Sequence, residues 1–273
     1  MAQATLDILE AGSYTNAQKE VVDIQEALDN AIDGTELYAP QDFKKEVFGT
    51  RDKVMQDGSF DTVFEVTAET TLQAARRLFE AGQDDIAVLN FASAKNPGGG
   101  FLGGSQAQEE SLARSSALYP CLEKHKSQYL ENRKRRTGLY TDHMIYSPQV
   151  PVFRDDDGSL LDAPYSISII TSPAVNAGSV RENYPQELDL IENTMLERTE
   201  KVLSLAVAYQ HKVLVLGAWG CGVFKNNPED IARYFATFLQ ADGRFAKAFG
   251  KVVFAVYSGQ KVNHNLPAFE ELF

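Results

Sequence analysis

The sequence predicts an α/β domain in which a sheet is sandwiched between helices, with a mainly helical extension at its N-terminus. Two observations lead there. From residue 61 onward, short β-branched and apolar runs alternate with stretches of helical periodicity, the pattern that packs helices on the faces of a sheet. In addition, a glycine-rich loop follows each of two apolar runs, DIAVLNF at 85–91 and KVLVLG at 212–217.

The elements follow in order. In residues 16–32, Val21, Ile24, Leu28 and Ile32 mark one apolar helical face. Turn-forming residues from Asp33 to about Gly58 read as a loop. DTVFEVT at 61–67 alternates as a strand. Leu72, Ala75, Leu78 and Phe79 return to helical spacing over 70–81, and Gly82 ends that helix. The apolar run 85–91 has the length and composition of a buried strand. Residues 109–119 and 121–136 read as helices separated by a break at Pro120. Strands are expected at 144–152 and 165–171, a long helix at 186–210 and a strand at 212–217. Asn227-Pro228-Glu229-Asp230 has the composition of a helix start: an oxygen to cap free amides, a proline for the first turn, and acids to complement the dipole. That helix runs to about Gln240, and KVVFAVY at 251–257 is the last strand. Residues 1–60 are taken as an extension packed on the core, and 61–273 as the α/β domain itself.

Composition narrows the classes of function. The chain has 273 residues and a formal charge of −12, which argues against gripping a nucleic-acid backbone through a broad basic face. The one dense basic run, Arg133 to Arg136, reads as a solvated helix end. No apolar run approaches the roughly 20 residues that cross a bilayer, and the N-terminus lacks the pattern of a secretory signal. Cys121 and Cys221 form neither a CxxC pair nor a disulfide framework, and read as free thiols in a reducing cytoplasm. His125, His143, His211 and His264 show no ligand spacing, so no metal is expected.

The chemistry concentrates in NFASAKNPGGGFLGGSQAQEE, residues 90–110. Five glycines within residues 98–104 let bare amides approach a ligand. Amides converging ahead of a helix N-terminus suit a phosphate or diphosphate. Gly98, Gly100 and Gly103 formally satisfy GxGxxG, but six residues separate them from Phe91, whereas a dinucleotide fingerprint follows its strand directly. A second loop, GAWGCGVFKNNPED at 217–230, lies where it can clamp the same diphosphate from the other side. Glu109 and Glu110 follow the first loop. Alone, two acids in a first turn complement the helix dipole; beside a diphosphate cradle they become candidates for catalysis. Adjacent helical side chains diverge by about 100°, so one carboxylate is expected to face the ligand while the other is anchored.

Gly98-Gly99-Gly100, seven intervening residues and Gln108-Glu109-Glu110 resemble the signature of the poly(ADP-ribose) glycohydrolases. NFASAKNP and GAWGCGVFKN are similar to the compact bacterial-type members, and the resemblance spans roughly 85–257. It implies a macrodomain-like mixed sheet between helices. It also implies that Glu110 is the catalytic acid and that Glu109 orients the site on a ribose hydroxyl. Asn96 would bond the distal ribose. Gly98, Gly99 and Gly100 and the segment Gly220, Cys221, Gly222, Val223 and Phe224 would surround the diphosphate, Phe224 packing on the ribose, and Gln108 of the signature would be a further substrate-binding residue. Tyr257, at the end of the last strand, fits an adenine crevice as well as it fits a half-buried strand tyrosine.

The implied reaction is hydrolysis of ribose–ribose bonds in poly(ADP-ribose) to release ADP-ribose, with no cofactor. Its partners would be the polymer, ADP-ribose and poly(ADP-ribosyl)ated proteins, with no direct nucleic acid and no membrane, and the chain acting as a monomer. A non-catalytic ADP-ribose-binding macrodomain and a mono-ADP-ribosyl hydrolase are the alternatives. The glutamate pair argues against the first, and the product released discriminates the second.

Overall fold

The computed structural model describes residues 1–57 and 59–273. The chain begins with α1 (Ala2–Ala11), a hairpin of β1 (Ser13–Thr15) and β2 (Val21–Asp23), then α2 (Gln25–Asp33), β3 (Glu36–Tyr38), α3 (Pro40–Asp42), a π-helical turn (Phe43–Val47) and α4 (Phe48–Asp57). There follow β4 (Val63–Thr67), α5 (Thr71–Glu80), β5 (Ile86–Phe91), α6 (Gln108–Ser115), α7 (Leu118–Glu123) and α8 (Lys126–Lys134). The remainder comprises β6 (Met144–Arg154), β7 (Leu160–Ser172), α9 (Ala177–Asn183), α10 (Ile191–Ala208), β8 (Val213–Leu216), α11 (Pro228–Leu239), β9 (Lys251–Ala255) and α12 (Leu266–Glu270).

Among the described residues, seven strands form one mixed sheet in the order β3-β6-β7-β5-β8-β9-β4. The pairs β3/β6 and β6/β7 are antiparallel, and β7/β5, β5/β8, β8/β9 and β9/β4 are parallel. The centre of the sheet is buried on both faces, as parallel strands require. Ala87 and Leu89 of β5 join a core with α10 and α11, while Ile86 and Val88 join another with α2, α5, α6 and α7. Parallel strands leave their C-terminal ends on one edge, where α/β sheets bind ligands. The glycine loops after β5 and β8 both lie there.

The structure departs from the sequence reading where tertiary contacts override periodicity. Residues 16–24 are not helical: Asn16 and Glu20 close a hairpin turn, with Lys19 at φ +65°. Val21 is 74% exposed in β2 while Ile24 is buried, so their three-residue spacing does not mark one helical face. Residues 33–57 are not a loop but carry β3, α3, the π-turn and α4; Phe43 and Val47 enter the core, and β3 pairs with β6. Gly58, where that loop was expected to end, lies outside the described residues. Pro120 sits inside α7, within its first turn, where a missing N–H is harmless. The break falls instead at Ser116, whose backbone is extended. The expected helix 186–210 opens as a 3-10 segment, Pro185–Leu190, ahead of α10. Helices α9 and α12 lie in stretches without a clear signal. Leu28, Ala31, Tyr38, Phe43 and Val47 belong to the core clusters, and β3 is an edge strand of the main sheet. No helix among the described residues is long and apolar enough to cross a membrane.

Local signals succeed where capping chemistry is explicit. Thr70 and Gln73 form a reciprocal capping box at the start of α5. Gly82, at φ +84°, donates to Phe79 as the helix closes. Asn227 accepts from the Glu229 N–H at 3.2 Å, with Pro228 at the first helical position. Replacing Asn227 by alanine is expected to destabilise the protein by about 1 kcal/mol, and by serine by less. Urea unfolding checks this; equal stability of the alanine and wild-type proteins would remove the cap from the account.

Candidate active site

The first loop turns as soon as β5 ends. The Ser93 hydroxyl accepts from the N–H groups of Lys95 and Asn96 at 3.3 and 3.1 Å. Gly99 N–H then donates to the Asn96 carbonyl at 3.0 Å, and Phe101–Gly103 forms a 3-10 turn. Gly99 has φ +62°, and a Cβ placed on it would lie 2.4 Å from a Glu110 carboxyl oxygen and 3.1 Å from one of Glu109. A side chain at this point would force the Glu110 carboxyl to move, and the positive φ favours glycine there.

The start of α6 is fastened to the sheet by Gln108. Its amide oxygen accepts from Phe91 N–H at 2.9 Å, and its amide nitrogen donates to the Leu89 carbonyl at 2.8 Å and the Thr71 hydroxyl at 3.0 Å. Gln108 thus lines the cavity while its polar atoms hold the fold. Glu109 is 3% exposed; it accepts from Ser93 N–H at 2.6 Å and from the Asn90 amide at 3.4 Å. Burial pushes its carboxyl up to about 8, with neighbouring Glu110 acting in the same direction and the N–H donors opposing. Glu110 is 8% exposed and accepts from Gly100 N–H at 2.9 Å. The expected division of one anchored and one ligand-facing carboxylate is thus modified. Their Cα–Cβ vectors diverge, yet the loop wraps the helix start so that both acids meet Gly99 and both line the cavity.

The second loop follows β8. Trp219 is buried and donates to the Ser172 carbonyl at 3.0 Å. Gly220 has φ +74°, and a side chain there would strike Ala174 and Asn226 at 2.5 and 2.6 Å. Asn226 donates to the carbonyls of Val175 and Gly220 at 2.7 and 3.2 Å, closing the loop. Between these bonds the N–H groups of Gly222, Val223 and Phe224 meet no acceptor among the described residues. Val223 is 81% exposed. Phe224 is half-buried, its ring 5.9 Å from that of Tyr140. A cavity of about 760 Å³ spans the two loops.

Most of the residues singled out in the sequence meet at this cavity. Asn96, Gly99, Gly100 and the Gln108-Glu109-Glu110 triplet form one wall, and Gly220, Gly222, Val223 and Phe224 the other. Tyr257 lies at one end, 57% exposed beyond β9, rather than half-buried in a strand. Two are not on the wall. Gly98 packs against Phe101 and Tyr119. Cys221 packs into the core, and burial pushes its thiol up to about 12, so it remains protonated at neutral pH. Arg133, from the basic run, braces the first loop by donating to the Lys95 carbonyl and the Asn96 side chain, both at 2.7 Å.

Sequence reasoning missed Asn90, Ser93 and Asn226. The polar Asn90 inside the run IAVLNF was the available signal: it is fully buried and spans from Glu109 to Thr171. Among the described residues no group of three or more His, Cys, Asp or Glu side chains is placed to hold a metal ion. His211 instead lies against Asp85 and Tyr146, both within 2.7 Å.

The raised Glu109 value sets a sign for stability. The ordinary value is 4.5 and the folded value about 8, so folding favours the protonated acid. Its contribution is full below about pH 4.5 and is lost as pH rises towards about 8. Thermal unfolding should therefore show the wild type losing stability relative to Glu109→Gln across that window. Parallel curves would mean that Glu109 does not retain its proton on folding.

Residues 2–155 match the family model described as microbial-type PARG, catalytic domain. No curated protein sequence matches the chain. Among solved structures, poly(ADP-ribose) glycohydrolase from Thermomonospora curvata, bound to the inhibitor ADP-HPD, is 44% identical with a TM-score of 0.91, covering 100% of this chain and 97% of that one. A glutamate-to-alanine variant of that enzyme aligns over the same shares, at 44% identity and a TM-score of 0.90. The enzyme from Deinococcus radiodurans, in complex with ADP-ribose, is 46% identical with a TM-score of 0.81, covering 89% of this chain and 95% of that one. With its glycine loop, its paired glutamates and this similarity across nearly the whole length, the chain belongs to the microbial-type poly(ADP-ribose) glycohydrolase family.

Proposed function

We propose that the protein hydrolyses the ribose–ribose bonds of poly(ADP-ribose) and releases ADP-ribose, with Glu110 acting first as general acid and then as general base. The observation that carries this reading is the meeting of Glu109 and Glu110 with the Gly99 backbone on the wall of one cavity. The free amides of the second loop and the bare first loop suit a diphosphate between them. Asn96 then takes the distal ribose, Phe224 packs on it, and Tyr257 takes the adenine end.

Burial favours the neutral form of Glu109 in the free protein, and the reaction requires Glu110 to carry a proton when the substrate binds. Glu110 then gives its proton to the leaving ribose oxygen as the glycosidic C–O bond breaks, and the electron pair departs with that oxygen. The sugar centre becomes oxocarbenium-like, faced by the substrate's own diphosphate. Water adds to that centre, Glu110 takes the proton it sheds, and the acid is restored. Glu109, held by Asn90 and Ser93, orients the ribose through a hydroxyl.

The substrate reaches the enzyme as polymer on modified proteins. The charge of −12 supports recognition by the local site rather than by a basic field. Two free cysteines, one buried, support a reducing cytoplasm as its location.

Glu110→Gln is expected to lower ADP-ribose release from polymer by about a thousandfold or more while leaving ADP-ribose affinity, measured by calorimetry, nearly intact. Turnover retained in that variant would sink the assignment. Release of ADP-ribose from singly modified protein but not from polymer would favour the mono-ADP-ribosyl reading.

A further inference from the structure

Beyond the glutamates, the cavity continues along α6 to Ser111 and Arg114. Among the described residues on its wall, Arg114 is the one cation, in a chain whose formal charge is −12. Arg114 follows Glu110 by four residues, so the two side chains share a helix face about one turn apart. Side chains lean towards the helix N-terminus, and the Arg114 guanidinium reaches back to donate to the Ser105 carbonyl. Ser105 N–H in turn donates to the Gly100 carbonyl at 3.2 Å, and Gly100 N–H to Glu110. The guanidinium therefore stands beside the turn that holds Glu110, and it meets a carbonyl there rather than a carboxylate. Asp156, on the same wall, is engaged by the hydroxyls of Ser111, at 2.6 Å, and Thr70.

We infer that Arg114 forms a subsite for the 5′-phosphate of the nucleoside that leaves when the glycosidic bond is cut. This inference rests on the polymer hydrolase reading. The diphosphate of the ADP-ribose being released is met by loop amides, which leaves the guanidinium for a different anion. In a ribose–ribose bond the leaving oxygen belongs to an adenosine, and that adenosine carries its own diphosphate across one sugar ring. A cation about one helical turn from the proton donor meets that phosphate while the leaving oxygen lies at Glu110. The planar fork of arginine suits a phosphate on which two oxygens are accessible.

The test compares two substrates in the full-length protein. One is poly(ADP-ribose); the other is an aryl glycoside of ADP-ribose, whose phenol leaves without a phosphate. For Arg114→Gln, kcat/KM should fall about tenfold further on polymer than on the aryl glycoside. The affinity for ADP-ribose should stay within about twofold, since a leaving-side contact adds nothing to the product. Arg114→Lys, which keeps the charge, should recover part of the polymer rate. Equal losses on both substrates, or a matching loss of ADP-ribose affinity, would show that Arg114 only braces the Ser105 turn and would overturn the inference. Unchanged polymer turnover overturns it as well. A wild-type protein inactive on both substrates would instead overturn the hydrolase reading beneath it.

Discussion

The contact between the Gly99 backbone and two carboxyl groups constrains much of what surrounds it. A side chain at Gly99 would displace the Glu110 carboxyl and press on that of Glu109, because a Cβ would lie 2.4 Å from an oxygen of the first and 3.1 Å from one of the second. The loop must bend back at Ser93 and Asn96 to reach that position, and α6 must begin at Gln108 so that its first turn presents both glutamates. Gln108 secures the second condition by tying the helix start to the last residues of β5. Glu109 secures the first by accepting from Ser93 N–H. Loop and helix hold each other, and the electrostatic result is a buried acid pair with one carboxyl far above its ordinary range.

The sheet gives this local arrangement its setting. Parallel strands β5 and β8 end on the same edge, so two loops separated by more than a hundred residues face each other across one cavity. Buried side chains hold each loop from behind: Asn90 beneath Glu109, and Trp219 and Asn226 beneath Gly220. Preorganised groups of this kind need not rearrange as charge develops in a reaction. Arg133 adds an outer brace by holding Asn96, so part of the basic run serves the loop.

The central strands and the helices with strong caps were legible in the sequence because they satisfy local rules. β5, β8 and β9 are apolar runs of strand length, and Asn227-Pro228 announces α11 by its own chemistry. The first sixty residues were not legible in the same way. Val21 and Ile24 fit a helical face equally well as residues of a hairpin, and β3 exists only because β6 lies beside it. The glycines and glutamates were visible, but their division of labour was not. No spacing rule reveals that Gly98 and Cys221 pack inward while Gly99 and Gly222 face the cavity. Asn226 acts through a loop whose shape no local pattern fixes.

The most direct test of the loop–carboxylate constraint is Gly99→Ala compared with Gly104→Ala. Both glycines have positive φ, +62° and +87°, but nothing lies within 4 Å of a Cβ at Gly104. The two variants therefore share backbone strain, and only the first drives a methyl group into the acids. Gly99→Ala should lose polymer turnover by about a hundredfold or more with its fold retained by circular dichroism, while Gly104→Ala stays within about tenfold of wild type. Near-normal turnover in Gly99→Ala, or an equal loss in both variants, would contradict the account.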